Sequence, residues 1–408
     1  MKKLTVLYAG WGERWPLGML AHGEAGLLFE YSAEALKQGL ELSPLRLPLR
    51  QAAYGDMPGF LDQLPGLIAD SLPDGWGRLL MDRDFRRLGV DPATASPLDR
   101  LACLGDRTMG ALCYEPAPHE ALEPEILSLL ELGREVKAVE AGKGASVLHR
   151  LAVMGGSPHG ARPKVLVHLN ATTGEMGTTP LAGSTPWLVK FPAREDHKEV
   201  CGIERAFALL AEACDLDMPR TKHFDLDRKL AAFAIERFDI AGTRRVPVHT
   251  LAGLLHADFR APSLDYLAFL RATRQLTRDE REVKRAFERA VFNVLFNNRD
   301  DHAKNFSYVL GQDRHWRLAP CYDLTFNEGP RGEHQTSVNG EGRSVTRAHM
   351  QSLARQAALP GDFVDETIEQ MTSKAELLGE FAPGHGIRKA TVKHIAAAID
   401  ANRGRLRK

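Results

Sequence analysis

An α+β fold in two lobes, with a further β-rich module ahead of them, is predicted for this 408-residue chain from three observations. Strand-like segments separated by turn residues dominate residues 1 to about 115. Short strands alternate with glycine-rich turns over 148–240. From about residue 250 onward the chain reads mostly helical.

In the first module Leu4 to Tyr8 and Gly26 to Tyr31 read as strands. Ser71-Leu72-Pro73-Asp74-Gly75-Trp76-Gly77-Arg78 opens a helix for which Asp74 is a candidate cap. Leu104-Gly105-Asp106-Arg107-Thr108-Met109-Gly110-Ala111-Leu112 reads as a turn leading into a strand, and a helix over roughly 122–141 links this module to the next. Three units follow: 1–120, 121–240 and 241–408. In the last, Arg281 to Asn297 carries Val283, Phe287, Ala290, Val291, Val294 and Leu295 at helical spacing, so a helix delivers the chain into residues 298–305. His249 and His256 read as helix-surface or cap residues, and the basic end Arg403–Lys408 as a solvated tail.

Composition narrows the function classes. Lys+Arg and Asp+Glu both total 53, so no overall basic field advertises direct nucleic-acid binding. The five cysteines are scattered and never form CxxC, which argues against a disulfide framework or structural zinc and for a reducing cytoplasm. The N-terminus lacks a long apolar run and no stretch approaches a membrane span, so neither a signal peptide nor a transmembrane segment is expected.

The chemistry is concentrated in Asn298-Arg299-Asp300-Asp301-His302-Ala303-Lys304-Asn305 and, 18 residues after Asp300, Leu318-Ala319-Pro320-Cys321-Tyr322-Asp323. An Arg-Asp pair, an Asn five positions later, and a short strand leading to a second Asp is how protein kinases lay out their catalytic centre. In that layout Asp300 is the carboxylate that takes the acceptor's proton, while Asn305 and Asp323 are oxygen donors suited to Mg²⁺. His302 and Lys304 are candidate phosphate contacts. Upstream, Trp187-Leu188-Val189-Lys190-Phe191-Pro192 places one lysine in an apolar strand, where a buried ammonium needs an anionic partner. Glu204, on a helix read over 201–211, is the candidate partner. Gly155-Gly156-Ser157-Pro158-His159-Gly160-Ala161-Arg162-Pro163-Lys164 can bring backbone N–H groups to phosphate oxygens, with Arg162 and Lys164 adding charge. It is neither Gly-x-Gly-x-x-Gly nor a Walker A motif. Ala234–Asp239 lies where a hinge holding adenine would fall. Each residue has a plainer reading: an edge-strand lysine facing solvent, a surface glutamate, an Asx-rich loop capping helices. Their order along the chain is what favours the catalytic one.

These residues together resemble the HipA family of bacterial serine/threonine kinases, the toxins of HipA–HipB-type modules. The resemblance rests on Leu72–Arg78, Gly105–Ala111, Gly155–Lys164 and Asp300–Ser307 with Leu318–Leu324, and runs over nearly the whole chain. It implies a two-lobed protein-kinase-like fold with an extra N-terminal subdomain, and ATP and Mg²⁺ as cofactors. It implies a nucleotide held by Gly156, Ser157, Gly160, Ala161, Arg162, Lys164, Lys190, Glu236, Arg237, Phe238, His302 and Lys304. It implies Asp300, Asn305 and Asp323 at the chemistry, and inhibitory autophosphorylation at Ser157. The partners implied are a small helix-turn-helix antitoxin of HipB type, operator DNA only through that antitoxin, and a protein substrate among the aminoacyl-tRNA synthetases. Asp301 stands where some members have glycine, and Asp323 is followed by Leu-Thr rather than Phe-Gly. A small-molecule kinase and a non-catalytic nucleotide-binding regulator are the alternatives, because fold and nucleotide site do not specify the acceptor.

Overall fold

A computed structural model describes residues 1–408 apart from Ala25, His119, Glu120, Ala121, Gly156, Ser157, Pro262, Ser263 and the side chain of Ala145. The expected autophosphorylation site Ser157 and the expected nucleotide contact Gly156 therefore lie outside the described residues.

The N-terminal module is a five-stranded antiparallel sheet in the order Ala53–Tyr54, Gly26–Tyr31, Trp15–Gly23, Lys3–Tyr8, Leu112–Glu115. The strands at Lys3–Tyr8 and Gly26–Tyr31 stand where the sequence places them, whereas Trp15–Gly23 between them was not legible. Pro16, Gly18 and Gly23 obscure its pattern, but its buried Leu17 and Leu20 hold it on the core.

The second sheet, also antiparallel, runs Met176–Gly177, Lys164–Leu169, Thr185–Lys190, Ala231–Glu236, Thr221–Asp225. Side chains alternate across it. Trp187 and Val189 are buried on one face with Val165, Val167 and Leu169, so Leu188 and Lys190 must point to the other. Register puts Lys164, Lys190 and Phe233 in one row across three strands. The helix Glu199–Ala213 packs beside this sheet and buries Glu204.

Two corrections apply to this region. The linking helix begins at Leu129, not near 122, because Pro124 precedes it and Ser128 caps it by accepting from the Glu131 N–H. Residues Ala145–Gly155 form a helix, where the sequence suggests short strands and glycine-rich turns from 148 onward; Gly155 falls at its end.

The third region is mainly helical, including Tyr266–Thr277, Glu280–Leu295, Arg347–Gln356, Gly361–Ser373 and Lys389–Arg407. A three-stranded sheet, Val248–Thr250 with Ser307–Leu310 and Trp316–Leu318, frames the loop between them. His249 is fully buried in the first of these strands, not on a helix surface, whereas His256 does occupy the cap after Leu251–Leu255. The basic end is not a solvated tail: it stays helical to Arg407, buries Leu406, and pairs Arg403 with Glu376 at 2.8 Å.

One apolar core is shared by the N-terminal sheet and the helical region, with Leu4, Val6 and Phe29 in the same cluster as Phe269, Phe287 and Phe292. The middle sheet has its own, built on Val165, Val167, Trp187 and Val189 and joined by Trp76 and Leu80. No helix among the described residues is long and apolar enough to cross a membrane.

Candidate active site

Lys190 reaches the cleft face of its strand and meets two carboxylates. Its ammonium donates to Glu204 and to Asp323, and its side chain is nearly buried. Burial alone would depress its pKa, but Asp323 and then Glu204 outweigh that and hold the group charged well above the usual lysine range. The strand and helix that carry Lys190 and Glu204 are thus locked across the sheet.

The opposite wall is built by the loop after Glu280–Leu295. Asp301 anchors it. Its carboxylate is fully buried and accepts from Tyr266 Oη at 2.7 Å, His334 Nδ1 at 2.8 Å, and the Gln335 and Thr336 N–H groups at 2.8 and 3.2 Å. The Asp301 carboxylate therefore fixes this loop to the 334–336 segment. Asp300, one residue earlier, is left to face the cleft with its side chain 41% exposed. It accepts from Gln335 Nε2 at 2.6 Å, and Asn305 Nδ2 donates to its backbone carbonyl at 2.6 Å. That bond engages the nitrogen of Asn305 and leaves the amide oxygen to serve as a donor atom for a cation. Asp323 sits at φ 52, in the left-handed region where Asp is better tolerated than most residues. The preceding Tyr322 donates to the Lys304 carbonyl at 2.7 Å, tying the 298–305 and 318–323 segments together.

The cleft has two compartments. One is lined mainly by apolar groups, among them Met109, Ala111, Leu112, Leu188, Ile235, Phe238 and Val248, with the Glu236–Phe238 segment along it. The other is charged, and holds Gly160, Ala161, Arg162, Lys164, Lys190, Glu204, Asp300, His302, Asn305 and Asp323. His159, Lys164, Lys190, Asn305 and Asp323 line both, so the compartments adjoin. Ten sequence-predicted residues thus meet in one cavity, which fits a planar apolar ligand part on one side and an anionic part on the other.

Local electrostatics separate the carboxylates. Burial and the neighbouring Asp323 push Asp300 above the usual range, while His302 opposes the rise. Asp323 itself is pulled down against its burial by Lys190 and Lys164. Burial lowers Lys164 to about 8, and its ammonium donates to the His159 carbonyl. One carboxylate raised and one lowered in the same cavity is how acid–base and metal-holding roles divide.

Some expected contacts lie elsewhere. Lys304 lines the apolar compartment rather than the charged one, and its ammonium is taken by Asp74, at the edge of the charged compartment, at 3.0 Å. Arg162 pairs with Asp196 at 2.9 Å while still lining the cavity. The Glu236 carboxylate is held by Arg220 at 2.6 Å, and Arg237 pairs with Asp239 at 2.8 Å, so from those two only the backbone is left to meet a ligand. Asp74 does occupy the helix cap position, but its side chain caps nothing there. Sequence reasoning missed His159, whose Nε2 is buried without a hydrogen-bond partner among the described residues, and Gln335. His159 at least falls inside the glycine-rich segment; no local signal marks Gln335.

With that geometry in hand, comparison with known proteins is decisive. Residues 156–377 match the HipA-like C-terminal domain and residues 9–115 match the HipA N-terminal domain. The chain belongs to the HipA family. A solved structure of the Shewanella oneidensis MR-1 toxin–antitoxin system, HipA with HipB and its operator DNA, superimposes with a TM-score of 0.72. It is 17% identical and covers 99% of this chain and 97% of that one, which establishes the two-lobed kinase-like fold. The Helicobacter pylori proinflammatory kinase CtkA overlaps more loosely, with a TM-score of 0.39 at 12% identity, over 54% of this chain and 85% of that one. No curated protein matches the sequence.

Proposed function

We propose that this chain is an ATP- and Mg²⁺-dependent serine/threonine protein kinase, the toxin of a toxin–antitoxin pair, acting in the cytoplasm on an aminoacyl-tRNA synthetase. The observation that carries the reading is Lys190 held between Glu204 and Asp323 in the cavity that Asp300 and Asn305 also line. Membership of the HipA family supports the toxin role, and the solved HipA–HipB–DNA relative supports an antitoxin partner that carries the DNA contact.

In this reading the apolar compartment takes the adenine, with the Glu236–Phe238 backbone beside it. Lys190 and Lys164 face the phosphates. Asp300 accepts the proton of the acceptor hydroxyl as that oxygen bonds to the γ-phosphorus and the bond to the bridging oxygen of the leaving diphosphate breaks. Gln335 holds the Asp300 carboxylate in place through its amide. Asn305 and Asp323 suit Mg²⁺ as hard oxygen donors, and the ion would supply neutralisation of phosphate charge. Phosphorylation at Ser157 would add negative charge where the nucleotide's phosphates belong, which is a physical route to self-inhibition.

The test is transfer of labelled γ-phosphate from Mg·ATP in a lysate of the source cells, wild type beside Asp300→Ala. A labelled band of synthetase size with wild type alone supports the reading. ATP consumed without protein labelling points to a small-molecule acceptor. No consumption by a chain whose intact mass shows no phosphate removes the kinase assignment, whereas no consumption by a phosphorylated chain points to a form silenced at Ser157. Intact-mass analysis after incubation with ATP tests Ser157, and an active enzyme without added phosphate rejects that site.

A further inference from the structure

The Leu72–Arg78 segment has no part in the mechanism above, yet it grips both walls of the cleft. Asp74 stands at the N-cap of Gly75–Arg87 without capping it. One of its oxygens instead accepts the Gly160 N–H, and the other accepts the Lys304 ammonium at 3.0 Å. The ion pair is largely buried, with side-chain exposures of 14% and 11%. Lys304 also lies over the Phe259 ring, 4.2 Å from its centroid.

The next two residues continue the grip. Gly75 sits at φ +39, and a Cβ there would fall 2.6 Å from Ala161 Cα, so only glycine admits the approach. The Trp76 N–H donates to the Gly160 carbonyl at 3.2 Å, and its indole Nε1 to the Lys164 carbonyl at 3.0 Å. Thus the 160–164 loop, which roofs the charged compartment, hangs on a loop of the N-terminal module. Asp74 also links it to Lys304 of the loop below. Neighbouring His159 and Lys304 keep the Asp74 carboxylate ionised against the effect of its burial.

We propose that Asp74 is a positioning residue for the nucleotide, clamping the Gly160–Lys164 roof to the catalytic-loop lysine so that the phosphate compartment is closed from the N-terminal module. The assignment of the ligand as a nucleotide rests on the kinase reading above; the clamp itself rests on the contacts. The clamp touches neither acceptor nor Asp300, so its loss acts on nucleotide affinity before it acts on turnover.

The experiment compares full-length wild type, Asp74→Ala and Asp74→Asn in kinetics with Mg·ATP and in amide hydrogen exchange. Losing two charge-assisted contacts in the Ala variant is expected to raise KM for ATP about tenfold while kcat changes less than about threefold. The Asn variant keeps an acceptor for the Gly160 N–H and is expected to recover part of that loss. Exchange in the Ala variant should quicken over 158–164 and stay unchanged in the strands of the N-terminal sheet. An unchanged KM in Asp74→Ala, equal loss in kcat and KM without recovery in Asp74→Asn, or faster exchange throughout the module would overturn the clamp. A wild type that binds and turns over no ATP would sink the kinase reading instead, and the exchange data would still decide whether Asp74 holds the roof.

Discussion

Two sites in this molecule gather residue types found in hydrolytic and phosphoryl-transfer enzymes, and they differ in how open they are. In the cleft, Asp300, Asn305, Asp323 and Lys190 line an open cavity. Between the N-terminal module and the helical region, Ser43 Oγ lies 2.9 Å from His249 Nε2, and His249 Nδ1 lies 2.7 Å from Asp70 Oδ2. That is the hydrogen-bond order of a serine-hydrolase triad. Yet Ser43 and His249 are buried and line neither compartment of the cleft, while Asp70 and Thr250 border the apolar one, Asp70 with its side chain 10% exposed. Asp70 spends its remaining capacity on the Thr250 N–H at 2.8 Å and hydroxyl at 2.6 Å. A buried network with its hydrogen bonds satisfied is built to hold modules together, while the open one with unequal carboxylates is the candidate for chemistry.

The comparison can be broken at either site. Replacing Asp300 by Ala should lower phosphoryl transfer by about 10²–10⁴-fold while ATP binding persists, because the carboxylate serves the acceptor. Retained turnover, measured with labelled ATP, would take Asp300 out of the scheme. At the buried network, Asp70→Ala strands a buried histidine and the Thr250 N–H. It should cost about 3 kcal/mol of stability in denaturant titration. Unaltered unfolding would mean that the network holds nothing.

Acid separates the two sites more finely. Asp300 is raised, so it loses its charge first as pH falls, and transfer should decline above the ordinary carboxylate range. Asp70 is lowered, its burial outweighed by His249, so its stabilisation is present above the unfolded pKa and is lost only as pH falls through the depressed folded value. A window should exist in which this network still holds but transfer has faded, seen by running a pH–rate profile beside a pH–stability profile. Coincident declines would merge what the structure separates. The smallest effect is at Ser43: Ser43→Ala should cost only about 1 kcal/mol. A fluorophosphonate probe should leave the native serine unlabelled; labelling would show the site open.

How much of this was legible depended on sequence separation. Lys190, Asp300, Asn305 and Asp323 could be read because each lies in a local pattern and their order along the chain is itself informative. Glu204 followed from a helix at a suitable distance. The partners that complete the site could not be read: Gln335 lies 35 residues from Asp300, Asp70 lies 179 from His249, and Asp74 lies 230 from Lys304. Periodicity reports which face a residue takes, not which distant residue meets it. Asp74 takes the cap position its neighbours suggest, but its carboxylate serves Gly160 and Lys304, which no local pattern could indicate.

The shared apolar core has a consequence for ancestry. Helix Gly66–Ala69 of the first module packs on Leu251–Leu255 so closely that a Cβ on Gly66 would collide with the Gly253 carbonyl. The first and last regions of this sequence therefore form a single packed body, which the helix Glu199–Ala213 joins, while the middle sheet has its own interior. Recombination between distant relatives should tolerate an exchanged middle far better than an exchanged beginning, because a foreign first module would arrive without the partner surface on which it was shaped.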